Sequence, residues 1–205
     1  MSCIDLSHPI SKNMSTYPSD PKVEIIISKT IEKNNSLLHE FKMGTHTGTH
    51  VDAPSHIIKE GQSLSDLEIN HFMGKAIKLN KSNYNSIQKI KQRVDAIIFE
   101  TSWYKNFHNP TVFYGNDRPE IPSAVINYCL SLNVKIFGCD LPSVDKSGVK
   151  YKKNHNLLLN NNIVIYESLN NLSKIPELTV FNFYGFPLPF KKLDGSPVRA
   201  VGVLI

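Results

Sequence analysis

Cysteine is scarce: Cys3, Cys129 and Cys139 are all that the 205 residues hold. Their odd number, wide spacing and lack of a C-x-x-C pair argue against a disulfide framework and against a thiolate zinc site. Reduced, mostly buried thiols are expected instead. Long apolar runs are also missing, and none approaches the roughly 20 residues that span a bilayer. Met1 to Ile10 carries Asp5 and His8 where a secretory leader needs a continuous apolar stretch. A cytoplasmic protein that does not enter membranes is therefore predicted. Nor is charge of one sign concentrated anywhere. The net charge of +5 comes from lysines interleaved with Asp and Glu. The densest basic stretch, Lys146 to Lys153, contains Tyr151 but no arginine and no repeated aromatics, so a nucleic-acid partner is not expected. Internal repeats and low-complexity linkers are absent too, which predicts one domain over residues 1–205.

What is present is an ordinary globular composition, 40% hydrophobic and 20% charged, in a chain long enough to bury a core without staples. β-Branched and apolar runs predict strands at Val23 to Ile27, Ala76 to Leu79, Ala96 to Phe99, Val134 to Phe137, Ile163 to Tyr166, Val180 to Tyr184 and Val198 to Ile205. Pro122 to Leu132 reads as a helix, with Ser123 as its cap and Ala124, Val125, Tyr128, Cys129 and Leu132 at helical spacing. A shorter helix is expected over Ser65 to Phe72. Strands outnumber helices, so the predicted class is α/β: a single domain with a central mixed β-sheet and flanking helices.

The chemistry is concentrated in Gly44-Thr45-His46-Thr47-Gly48-Thr49-His50-Val51-Asp52-Ala53-Pro54-Ser55-His56, which holds three of the eight histidines and a carboxylate. Imidazole nitrogen and carboxylate oxygen are the ligands that Zn, Mn or Fe(II) accept, and a cation supplies the partner that a buried Asp among histidines would need. This is not the helical zincin pattern. Thr47 stands where that motif has Glu, and Gly48, Pro54 and the β-branched residues disfavour a helix. A straight strand fails as well, because it would hold His46 and His50 about 13 Å apart. For both to reach one ion the chain must bend between them, and Gly48 permits the bend. The hydroxyls of Thr45, Thr47 and Thr49 are candidates for orienting the ligands.

The run His46-x-Gly48-Thr49-His50-x-Asp52-x-Pro54-x-His56 resembles the signature of the cyclase family of metal-dependent hydrolases, which includes the bacterial kynurenine formamidases. The resemblance extends to Asp5-Leu6-Ser7-His8-Pro9-Ile10 with Tyr17-Pro18, to Gly138-Cys139-Asp140 with Ser143-Val144-Asp145, to His155-Asn156-Leu157-Leu158 and Glu167-Ser168-Leu169-Asn170-Asn171-Leu172, and to Asp194-Gly195-Ser196-Pro197-Val198-Arg199-Ala200. It implies a swivelling β/β/α-like fold and a homodimer or higher homo-oligomer. It also implies a site in which His46, His50 and Asp52 bind one metal, and Asp52 bridges to a second held by His155 and Glu167. One or two zinc ions are implied, with manganese an alternative, and His56 becomes the proton donor and acceptor. The implied reaction is hydrolysis of a small amide, an aryl formamide such as N-formylkynurenine. A cyclic amide or lactone is the nearest alternative, and a non-catalytic metal-binding or regulatory protein the more distant one. Retention of His56, which the metal does not need, argues against the last. Tyr17 stands where the formamidases carry Trp and is the candidate substrate-binding aromatic; Trp103 and Phe107 are expected in the core. Glu167 is expected to end a strand, with His155 in the loop before it.

Overall fold

The computed structural model describes residues 2–89 and 92–204. In chain order its regular elements are β1 (Ser2–Asp5), β2 (Glu24–Lys29), α1 (Ile31–Asn34), β3 (Leu38–Lys42), β4 (His50–Asp52), β5 (Met73–Asn80), β6 (Ala96–Glu100), α2 (Pro110–Phe113), α3 (Ser123–Ser131), β7 (Ile136–Cys139), α4 (Lys153–Leu159), β8 (Val164–Glu167), β9 (Val180–Tyr184), β10 (Gly195–Pro197) and β11 (Val201–Leu204), with short 3-10 turns between them. Nine strands form one curled sheet in the order β1-β11-β9-β5-β6-β7-β8-β4-β10. The apolar runs of β5, β6, β7 and β8 pair in parallel at its centre, as strands buried on both faces should. Antiparallel strands extend the sheet on either side. The expected central mixed sheet with flanking helices is there.

Alternation along each strand divides the core in two. Ile77, Ile97, Phe99, Phe137 and Ile165 face α3 and α4, meeting Val125, Ile126, Leu158 and Leu159. Val51, Ala76, Ala96, Ile98, Tyr166, Phe181 and Phe183 line the opposite face. Ile165 and Tyr166 thus point to opposite sides, and by the same alternation Glu167 returns to the helix side at the end of β8. The outlying hairpin of β2 and β3 leaves Ile26, Ile27 and Phe41 exposed.

Several expectations need correction. Ser65 to Phe72 is two 3-10 turns, Leu64–Asp66 and Ile69–Phe72. Asp66 folds back onto the Ser63 amide and hydroxyl, and the extended Leu67 breaks any continuous helix. Ser123 is the first residue of α3, and Pro122 stands at its cap. The strand expected from Val134 begins at Ile136, and the one expected from Val198 begins at Val201, after the separate short strand β10; Ile205 lies outside the described residues. Val23 to Ile27 corresponds to β2, which belongs to the hairpin and not to the central sheet. His155 lies within α4 and not in a loop. Cys129 and Cys139 are buried and Cys3 is exposed; Phe107 is buried, as expected, and Trp103 is partly so. Among the described residues no helix is long and apolar enough to cross a membrane.

Candidate metal centre

The bend expected between His46 and His50 is present. Gly48 adopts φ +64°, in the left-handed region, so the backbone conformation calls for glycine, and the Met14 methyl covers it, 2.9 Å from where a Cβ would lie. Past the bend the chain enters β4, where His50 and Asp52 share one face and Val51 turns into the core. β4 pairs with β8 so that His50 lies opposite Glu167, and neighbouring side chains across a sheet meet. α4 packs on the same side and brings His155.

Four buried side chains, each no more than 5% exposed, converge here: His50, Asp52, His155 and Glu167. His50 Nε2 lies 3.3 Å from Asp52 Oδ1 and 3.6 Å from Glu167 Oε2. His155 Nε2 lies 3.6 Å from Asp52 Oδ2 and 3.4 Å from Glu167 Oε1. These gaps are long for hydrogen bonds. Each histidine faces a different oxygen of the two carboxylates, and His50, Asp52 and Glu167 offer ligand atoms within 4.8 Å of one another, a span that one cation at about 2.0 to 2.2 Å from each can bridge, with His155 alongside. Asp52 Oδ2 has no hydrogen-bond partner despite full burial, the signature of an acceptor awaiting a cation. Three of these four side chains are also held by further hydrogen bonds. His50 Nδ1 donates to Gly48 O (2.8 Å), His155 Nδ1 donates to Asp145 Oδ2 (2.7 Å), and Val144 N donates to Glu167 Oε1 (2.7 Å). The donor set and its spacing fit a divalent metal.

A second group, His46, His56 and Asp194, is partly exposed, with side chains 18%, 29% and 39% accessible. His46 and His56 also lie close enough to Asp52 to form an alternative ligand group with it. Its contacts are shorter: His46 Nδ1 to Asp52 Oδ1 2.7 Å, His46 Nε2 to Asp194 Oδ2 2.9 Å, and His56 Nδ1 to the same Asp194 oxygen 3.2 Å. Carboxylates only accept, so both nitrogens of His46 donate and the ring carries a proton on each. Gly195 lets this happen, since a Cβ there would lie 2.6 Å from His46 Cε1.

Protonation follows from the same contacts. Burial opposes charge on His46 and His50, yet the carboxylates prevail, raising His46, held by Asp194 and Asp52, to about 9 and His50, beside Asp52 and Glu167, to about 10. His155 rises well above its usual range against burial, through Asp145, Asp52 and Glu167. Burial pushes the carboxylates the other way, but their imidazole partners hold Asp52 well below the usual range and Glu167 down at about 2. Without metal, protons on histidines balance the buried anions; a cation would displace them.

All the proposed ligands, with His56, therefore come together. Tyr17 packs edge-on against Tyr114, ring centroids 5.6 Å apart, in the same segment as the Met14 that covers Gly48. Among the described residues the threonine hydroxyls bond elsewhere: Thr49 donates to Ser168 O and accepts from His8 N, and Thr45 donates to Asp194. Asp145 and Asp194 are participants that local spacing did not single out, because only the fold brings them to histidines 10 to 148 residues away in sequence.

A curled mixed sheet carrying buried histidine and carboxylate ligands at one end defines a metal-hydrolase-like class, and the comparisons agree. Residues 4–146 match the family described as Putative cyclase, and the chain belongs to that family. Kynurenine formamidase from Bacillus cereus is 29% identical over 97% of this chain and 95% of its own, and that from Bacillus anthracis is 28% identical with the same coverage. Among solved structures, an isatin hydrolase bound to the product analogue thioisatinate superposes with a TM-score of 0.86 at 21% identity, covering 98% of this chain and 92% of its own. Isatin hydrolase A from Ralstonia solanacearum gives 0.83 at 19% identity, covering 100% and 92%. These two likenesses establish the fold.

Proposed function

We propose that this protein is a zinc-dependent hydrolase of a small amide, an aryl formamide of the N-formylkynurenine kind. The observation that carries the chemistry is the buried cluster of His50, Asp52 and Glu167, with His155 beside both carboxylates, next to the accessible His56; the formamidase relatives carry the substrate class. In this reading the four buried ligands hold the first ion, while His46 approaches Asp52 from the open side and, with it, offers a weaker second position. Manganese is the alternative ion, because two carboxylates make the set hard enough to accept it.

A bound divalent cation supplies a water that ionises near neutral pH and a Lewis acid for the carbonyl. The chain supplies the proton handling. His56, its ring centroid 4.1 Å from that of His46 and 5.7 Å from that of His155, is turned by Asp194 so that Nδ1 donates to the carboxylate, leaving Nε2 to take a proton from the attacking water and return it to the departing nitrogen. In this reading Tyr17, which packs against Tyr114, contacts the aryl group. We further propose a cytoplasmic homodimer. The exposed apolar residues of the β2–β3 hairpin support association, which light scattering tests.

Tyr17 in place of the formamidase Trp keeps a cyclic amide or lactone as the second reading. Metal-stripped and zinc-reconstituted protein assayed on N-formylkynurenine, a simpler aryl formamide, an aryl lactam and a lactone separates the two. Zinc-restored turnover fastest on the formamides is expected. A lactam or lactone cleaved more than tenfold faster replaces the substrate class, and metal binding without turnover on any of them replaces the enzyme reading.

A further inference from the structure

Among the side chains behind the buried cluster, Asp145 accepts three hydrogen bonds. Its Oδ2 accepts from His155 Nδ1 at 2.7 Å and from the His155 backbone N–H at 3.2 Å, and its Oδ1 accepts from the Asn154 N–H at 2.8 Å. The residue itself is held in place. Its carbonyl accepts from the buried Arg118 Nη2 at 2.7 Å, its N–H donates to Ser143 Oγ at 3.3 Å, and Asn154 Nδ2 donates to the neighbouring Val144 carbonyl at 2.8 Å. The next residue back, Val144, gives its N–H to Glu167, so one short segment grips two ligands carried by different elements. His50 differs, since its Nδ1 is held only by the backbone carbonyl of Gly48.

We infer that Asp145 is the positioning residue that commits His155 to binding metal through Nε2. A carboxylate can only accept, so it requires the proton at Nδ1 and leaves the Nε2 lone pair facing Asp52 and Glu167, and its charge makes that lone pair a better donor. By accepting from the first turn of α4 as well, it fixes the helix and the ring together. The inference rests on the metal-hydrolase reading.

The test uses full-length wild type, Asp145→Asn and Asp145→Ala, stripped of metal and titrated with zinc against a chromophoric chelator, with thermal melts of each metal-free protein. Asparagine keeps the shape but loses the charge and one of the two acceptor positions, so whichever way its amide turns, an NH2 faces either the Asn154 N–H or the two His155 donors. Zinc binding roughly 10- to 100-fold weaker is expected in both variants, with metal-free Asp145→Asn still folded and melting within a few degrees of wild type. Wild-type zinc affinity in a folded Asp145→Asn overturns the inference. So does failure of both variants to fold even in excess zinc, which assigns the carboxylate to the helix cap alone. A crystal structure of the zinc-loaded wild type decides independently: Nε2 on zinc with Asp145 on Nδ1 supports the inference, and Nδ1 on zinc ends it. If wild type itself binds no divalent metal, it is the proposed function that fails.

Discussion

The two histidine groups that share Asp52 differ in a way that separates metal holding from proton handling. In the inner group, His50, His155 and Glu167 are buried and their facing atoms stand 3.3 to 3.6 Å apart. Such atoms are too far apart to bond one another and are spaced to bond a cation. In the outer group, His46, His56 and Asp194 are partly exposed and stand 2.7 to 3.2 Å apart, the distance at which a proton lies between the partners. Burial thus goes with ligand geometry, and exposure with proton exchange.

Replacing the shared residue should have the largest effect. Asp52→Ala removes an oxygen from each group, and it is expected to lose most of its bound metal and more activity than the roughly 10- to 100-fold that an outer contact costs; full metal content would deny that Asp52 is a ligand. His56→Ala should separate the groups. Metal content near wild type with turnover down roughly 10²- to 10⁴-fold is expected, whereas loss of metal would make His56 a ligand. The smallest effect concerns pH. His46 and His50, raised to about 9 and about 10, stabilise the metal-free fold fully below their unfolded value of about 6.5 and lose that contribution as pH rises through 9 to 10. Asp52 and Glu167, both lowered, contribute above about pH 4.5 and lose their contribution in acid. Thermal melts of metal-free protein should therefore peak between about pH 4.5 and 6.5 and decline toward pH 10, while zinc-loaded protein, which needs deprotonated imidazoles, should gain stability from pH 5 to 7. A metal-free melting temperature that is flat from pH 6 to 10 would contradict the proton-filled network.

How much of this was legible depended on whether the cause was local. The apolar runs of β6 and β8 announced themselves, since a strand buried on both faces needs no distant partner to be recognised. β4 did not. Its three residues, His50, Val51 and Asp52, are two ligands around one core side chain, and only pairing with Glu167 and Pro197 makes them a strand. α4 was hidden for a related reason: Asn154 and Asn156 are poor helix formers, and its first turn is capped by Asp145 from nine residues upstream. The Gly48 bend was derivable because helix is disfavoured there and a straight strand would hold His46 and His50 about 13 Å apart, with glycine the residue that permits the turn. Asp194 carried no local signal of its role, because its bonds to His46 and His56 cross some 140 residues.

The contrast between the groups is tested most directly by the metal bound per chain in Glu167→Gln and His46→Ala, measured side by side with wild type under one zinc activity, with folding checked by circular dichroism. Glu167→Gln keeps the size of the side chain and removes an anionic ligand from the buried group, so its zinc content should fall well below one ion per chain, while His46→Ala should keep that first ion and lose only a weaker second. Full zinc in Glu167→Gln together with an empty His46→Ala would reverse the assignment and place the metal in the outer group.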